Sequence, residues 1–168
     1  LRFSPFVEVT ITFPKGEYHF YPDHAISKEY YISNTVGTDQ NYRDKKIGML
    51  LDNMSNVTVD GSGSKFIFHG KMTTFATDNS KNITFKNFSV DFKVPTVVEL
   101  HTESVEGDTV IYRVPKEFPY EIHGTHIKWK SDISPYSHEP YWTGWDKFNY
   151  TQIHDENTGL TFRSDNHV

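Results

Sequence analysis

The chain has 168 residues, 36% of them hydrophobic and 15% aromatic, which is enough apolar material for a packed core and too much for a disordered chain. Its net charge is −5, with Lys and Arg scattered among Asp and Glu, so no basic stripe exists to neutralise a phosphate backbone and no nucleic acid is expected as a main partner. Cysteine is absent, which removes disulfides, thiolate catalysis and Cys-ligated zinc, and no membrane span is expected because no run approaches about 18 consecutive apolar residues.

Helical periodicity is nearly missing, whereas short alternating runs bounded by Gly, Pro, Asn and Asp recur throughout, so the chain reads as all-β. Residues 7–13 alternate apolar with polar, Pro14-Lys15-Gly16 supplies a turn, and residues 17–21 resume the strand. Residues 30–33 give a third short strand, and the polar stretch 34–46 reads as a protruding loop. The start, Leu1-Arg2-Phe3-Ser4, has no Met and no charged region leading into an apolar run, so the chain is expected to be a processed or excised piece of something longer.

From residue 47 a repeat is legible. Residues 53–60 align with 79–86 at an offset of 26, placing Asp52 on Asp78, Asn56 on Asn82, Val57 on Ile83, Thr58 on Thr84 and Val59 on Phe85. Polar matches polar and apolar matches apolar, the signature of a stacked-coil solenoid. Each coil is read as three strands: 47–51, 56–60 and 65–69 in the first, then 73–77, 82–86 and 88–92. Three strands per turn is the arrangement of a parallel β-helix. Alternation then sends Val57, Val59, Phe66, Phe68, Ile83, Phe85, Phe88 and Val90 inward as the expected core.

Beyond Pro95 the 26-residue relation stops and the turn signals become those of hairpins. Glu106-Gly107-Asp108 separates strands 97–105 and 109–114, and residues 156–159 separate 150–154 from 160–163. The expected organisation is therefore coils of a right-handed parallel β-helix over 1–95, followed by a small antiparallel β-barrel or sheet over 96–168.

Several motifs invite functional readings. Five Asn-X-Ser/Thr sequons stand at Asn53, Asn56, Asn82, Asn87 and Asn149. The repeat explains four of them as corner residues, because Asn tolerates left-handed backbone angles. His123 and His126 have a suggestive spacing, but positions three apart on one strand face opposite sides, so no metal site is expected. His69 is read as a neutral corner imidazole satisfied by backbone. Asp60 and Asp91 each end a strand, yet Lys86 occupies the repeat position of Asp60, so no carboxylate pair for glycoside hydrolysis emerges. Aromatics concentrate between Trp129 and Tyr150, where Trp142-Thr143-Gly144-Trp145 could form a sugar-stacking platform, against a plainer role in packing.

The runs Phe13-Pro14-Lys15-Gly16-Glu17-Tyr18-His19-Phe20, Lys45-Lys46-Ile47-Gly48-Met49-Leu50-Leu51 and, above all, the stretch 57–72 (Val-Thr-Val-Asp-Gly-Ser-Gly-Ser-Lys-Phe-Ile-Phe-His-Gly-Lys-Met) resemble the amino-terminal region of the bacterial α-1,3-galactosidases of glycoside hydrolase family 110. The run 82–91 followed by Pro95 is similar to that family's next coil. Tyr112-Arg113-Val114-Pro115, Pro119-Tyr120-Glu121-Ile122 and Asp155-Glu156-Asn157-Thr158-Gly159 resemble the β-barrel inserted into its helix. The resemblance implies exo-acting, inverting hydrolysis of terminal α-1,3-linked galactose, as on blood-group-B-type glycans, with no cofactor or metal. It also implies a carbohydrate partner and a periplasmic or secreted location. Family members are several times longer, and their catalytic aspartates are expected on later coils, so the catalytic residues are expected outside this chain. Trp142 and Trp145 remain the candidate substrate-binding residues. The alternative is a non-catalytic carbohydrate-binding or structural β-solenoid module, and a stack with an open end is expected to self-associate.

Overall fold

A computed structural model of the chain describes residues 7–31, 43–146 and 151–164. About 60% of it is strand and 3% helical, which makes the chain all-β. In order the strands are β1 (Val9–Thr12), β2 (Glu17–Phe20), β3 (Ile26–Glu29), β4 (Asp44–Asp52), β5 (Ser55–Phe68), β6 (Thr73–Asp78) and β7 (Lys81–Phe92). They are followed by β8 (His101–Glu106), β9 (Thr109–Arg113), β10 (Tyr120–His123), β11 (His126–Lys130), β12 (Thr143–Asp146), β13 (Thr151–His154) and β14 (Thr161–Ser164). A 3-10 turn, Pro22–His24, lies between β2 and β3.

The 26-residue offset becomes a parallel register. β5 pairs with β7 so that Val57 lies beside Ile83, Thr58 beside Thr84 and Val59 beside Phe85; past a register shift the offset becomes 24, with Phe66 beside Val90. β4 pairs with β6 in the same sense, bringing Asp52 beside Asp78. On the other side of β5 two further parallel partners appear: β1 sets Val9 beside Val57, and β2 sets Tyr18 beside Phe66. This third layer is offset by 48 residues, from 9 to 57 and from 18 to 66, which is why no 26-residue comparison finds it.

Two expected elements come out differently. The strands 56–60 and 65–69 fuse into β5, whose register slips between Asp60 and Ser64 where Ser62 (φ 51°) and Gly63 (φ 83°) take left-handed angles. The expected bend is thus a bulge, which turns a strand without ending its ladder. An early strand lies at β3, antiparallel to β4; of the strand expected at 30–33, residues 30 and 31 are not in a strand and 32–33 lie outside the described residues. Part of the loop expected at 34–46 falls outside the described residues, and 44–46 belong to β4.

The Asn corners behave as read. Asn53, Asn56, Asn79, Asn82 and Asn87 all have φ between 46° and 59°, and the Asn82 side-chain amide donates to Asn56 Oδ1 at 2.8 Å across the layers. Asn149 lies outside the described residues. Inward alternation also holds: Val57, Val59, Phe66 and Phe68 are fully buried. Phe66 sits at the centre of an aromatic group, with ring centroids 5.0 Å from Phe13, 5.8 Å from Tyr18, 5.4 Å from Phe20 and 4.6 Å from Phe88. Ile83, Phe85 and Phe88 are only half-buried and Val90 is 41% exposed. These belong to β7, the outermost layer, whose far side meets no strand among the described residues.

After residue 95 every strand pairing among the described residues is antiparallel: β8 with β9, β11 with both β10 and β12, and β13 with β14. These form three separate sheets among the described residues. A second core gathers here from Val94, Phe118 and Trp129, with Val98, Leu100, Val114, Ile127 and Trp142 against it.

Candidate functional site

β2 ends at Phe20 and β5 at Phe68, and their last residues bring His19 and His69 onto one side of the parallel sheet. Segment 131–142, between β11 and β12, packs against this end and delivers Asp132. The result is a continuous line of four side chains. Asp132 Oδ2 is 2.6 Å from His69 Nδ1, His69 Nε2 is 2.8 Å from His19 Nδ1, and His19 Nε2 is 3.0 Å from Glu17 Oε1. Burial grades along it: the His69 and Asp132 side chains are 8% and 9% exposed, those of His19 and Glu17 35% and 56%. Tyr21 lies almost parallel to His69, with centroids 4.2 Å apart, and also stacks on His19.

A second contact group ties the same segment to the 3-10 turn. Tyr141 Oη donates to Asp23 Oδ2 at 2.5 Å, and Ser134 Oγ donates to Asp23 Oδ1 at 3.0 Å. Desolvation acts to raise Asp23, but these two hydrogen bonds, a backbone hydrogen bond and the nearby His24 together outweigh it and hold the carboxyl below its usual range. Burial, reinforced by that carboxylate, pushes the Tyr141 phenol up. Gly70 explains why the segment sits so close: a Cβ there would lie 2.7 Å from Tyr141 Cβ, and its φ of 58° also favours glycine.

Beside the line of four, a groove of about 220 Å³ opens on the outward face of β2, β5 and β7, lined by Glu17, His19, Lys65, Asp91 and Lys93 among others. Lys65 Nζ lies 3.1 Å from Asp91 Oδ2, so that carboxylate is ion-paired. Asp60 lies within β5 at the start of the bulge. It accepts from the Ser62 backbone N–H at 2.9 Å and from Asn87 Nδ2 at 3.0 Å, and these bonds hold it below the usual carboxylate range.

The two candidate tryptophans have different surroundings. Trp142 precedes β12 and packs on the second core, with Lys71 Nζ 5.7 Å from its ring. Trp145 lies within β12 and is 59% exposed. Around it stand His123 (5.2 Å between centroids), His126 (6.5 Å) and Lys128 Nζ (5.5 Å). Glu121 sits one strand further on, paired with Lys128 in register, and is held below its usual range by Lys130 and His123.

Two sequence readings need correction. His123 and His126 face the same side, not opposite sides, because Gly124 (φ 60°) and Thr125 make a two-residue hairpin that pairs them directly. A glycine first in a two-residue loop between alternating runs was the available signal. No group of three or more His, Asp or Glu side chains is placed to hold a metal among the described residues. His69 is not satisfied by backbone at its ring. It is bonded to Asp132 and His19. Asp132 is 63 residues away in sequence, and nothing local announces the pair.

No protein-family model matches the chain. Individual proteins do. The chain is 47% identical over 163 residues to alpha-1,3-galactosidase A of Streptomyces avermitilis, covering 94% of this chain and 26% of that protein. It is 39% identical over 163 residues to alpha-1,3-galactosidase A of Peterkaempfera griseoplana (95% and 22%), and 38% over 130 residues to alpha-1,3-galactosidase B of Bacteroides thetaiotaomicron (74% and 20%). The chain spans about a quarter of the length of these curated relatives. An identity of this level running through the parallel layers, the segment carrying Asp132 and the antiparallel sheets leaves one assignment: the chain belongs to the α-1,3-galactosidase family, of whose members it represents a segment.

Proposed function

We propose that this chain is a structural and substrate-positioning segment of an exo-acting, inverting α-1,3-galactosidase that removes terminal galactose from glycans such as blood-group-B-type structures. The observation that carries this reading is the 47% identity to a galactosidase across 94% of the chain. In the proposed mechanism one carboxylic acid protonates the glycosidic oxygen while a carboxylate across the ring activates water. Both are assigned to residues outside this chain. Asp60 and Asp91, the two carboxylates weighed in the sequence, are committed to the bulge of β5 and to an ion pair.

Residues 1–95 are read as coils of a right-handed parallel β-helix and 96–168 as an inserted antiparallel β-barrel. The parallel registers of β1, β2, β5 and β7 and the change to antiparallel pairing after Pro95 support this division. Of the two tryptophans, Trp145 is the one offered to a sugar, as an exposed indole with Glu121, Lys128 and two imidazoles around it to meet hydroxyl groups. A periplasmic or secreted location belongs to the same reading.

A chimera tests the proposal. The chain replaces the 163 matching residues of the Streptomyces avermitilis enzyme, and galactose release from an α-1,3-linked galactobioside is followed for the chimera and for the isolated chain. The expected result is turnover by the chimera and none by the chain. Turnover by the isolated chain, abolished in Asp91→Asn, would place the active site here instead. A folded but inactive chimera that no longer binds the galactoside would favour a non-catalytic module.

A further inference from the structure

A second cavity, of about 330 Å³, shares His19 with the charged groove and is lined besides by Tyr21, His24, Gly48, Met72 and Tyr136 among others. Its volume lies at the small end of the range for ligand clefts, which suits one or two rings rather than a long chain. Its chemistry differs from that of the groove. No Lys, Arg, Asp or Glu of the described residues lines it, and its walls are rings. Tyr136 stands nearly perpendicular both to Tyr21 (87°, centroids 5.9 Å apart) and to His24 (82°, 4.5 Å), so the three rings form a corner. Tyr21 is backed in turn by His69, which lies at 22° to it.

The corner is fixed by a buried group outside it. Ser134 is 1% exposed; its Oγ donates to Asp23 Oδ1 at 3.0 Å and accepts from the backbone N–H groups of Tyr136 and Ser137, both at 3.1 Å. Asp23 immediately precedes His24, and Tyr136 follows Ser134 by two residues. One hydroxyl therefore sets the spacing of the two walls, and the bond from Tyr141 to Asp23 fastens the same pair. Walls set in advance lose little freedom when a ligand arrives. The polar ends of the corner are uncommitted: no hydrogen bond among the described residues engages the hydroxyls of Tyr21 and Tyr136 or the ring nitrogens of His24.

We propose that this cavity binds a single galactopyranoside unit, with Tyr136 and Tyr21 as its ring contacts and His24 as a partner for its hydroxyls. A pyranose presents a C–H face that lies well on an aromatic ring, and hydroxyls that both donate and accept. The corner offers both kinds of surface and no charge. The choice of galactose among the hexoses rests on the galactosidase reading above, whereas the sugar site itself rests on the cavity walls. One wall belongs to the end of the parallel layers and the other to segment 131–142, so the contacts that join these two parts also assemble the site.

The test is a titration of the 168-residue chain, isotope-labelled at its tyrosine, histidine and tryptophan rings, with methyl α-galactopyranoside. Ring signals of Tyr21, His24 and Tyr136 are expected to shift together and to saturate with a dissociation constant of about a millimolar or weaker. Tyr136 is 54% exposed, so its replacement should leave the amide spectrum and the fold intact. Tyr136→Ala should weaken binding about tenfold as followed at Tyr21 and His24, and Tyr136→Phe, which keeps the ring, should retain most of it. Shifts confined to the tryptophans, or none at all, would overturn the proposal, as would a response to methyl α-glucopyranoside with none to the galactoside. The galactosidase reading is tested separately by turnover of the chimera. An active chimera whose donor chain shows no response at Tyr136 and His24 would sink this site alone, and a response there beside an inactive chimera would support the site and not that reading.

Discussion

Replacing Phe66 by alanine is expected to destabilise the chain by about 3–5 kcal/mol, read as a lowered midpoint in urea unfolding with an unchanged slope. The ring is fully buried and meets Phe13 just after β1, Tyr18 and Phe20 on β2, and Phe88 on β7. Removing it opens a cavity shared by all three layers, and neighbours fixed in strands cannot collapse to fill it. Val90 is the control. It occupies the register position next to Phe66 on the outer layer but is 41% exposed, so Val90→Ala should cost well under half as much. Equal losses at the two positions would mean that the layers are not stacked as described.

The second large effect concerns the outer layer. β7 is hydrogen-bonded to β5 on one side, and no strand among the described residues covers the other. Its inward residues show the consequence: Ile83, Phe85 and Phe88 are half-buried, where Val57 and Val59 one layer in are fully buried. An uncovered row of backbone donors and acceptors above apolar side chains pairs readily with another chain. The isolated 168-residue chain is therefore expected to form a dimer or larger species at micromolar concentration, by sedimentation or light scattering. Lys or Glu at position 85 should shift it toward monomer. A clean monomer would show that the end is already capped.

What could be read in the sequence follows from where the physical signal lay. The pairing of Val57 with Ile83 and of Val59 with Phe85 was legible because both copies sit at one offset and share inward parity. The layer formed by β1 and β2 was not, although both strands were recognised, because 22 additional residues lie between it and β5 beyond the repeat length. Without that layer, His19 could not be placed beside Ile67, two residues from His69 on the same face. The line of four side chains was hidden for the same reason, and its last member, Asp132, comes from a segment with no repeat at all. His123 and His126 were legible in principle, since the turn between them contains its own glycine. The strand β12, which carries Trp145, was not among the elements the sequence showed, because its four residues lack an alternating apolar pattern.

The parallel stacking of β7 on β5 at an offset of 26 underlies the layered fold, and a cross-link tests it most directly. The chain contains no cysteine, so an engineered pair reports without interference. Thr58 and Thr84 are in-register neighbours on the outward face of β5 and β7. Their Cα atoms are separated by one strand spacing of about 4.8 Å, within disulfide reach. Thr58→Cys with Thr84→Cys should form the bond on mild oxidation. Thr58→Cys with Lys86→Cys, displaced by two residues to about 8 Å, should not. Efficient bonding of 58 to 86 with none of 58 to 84 would contradict the register and the layered account with it.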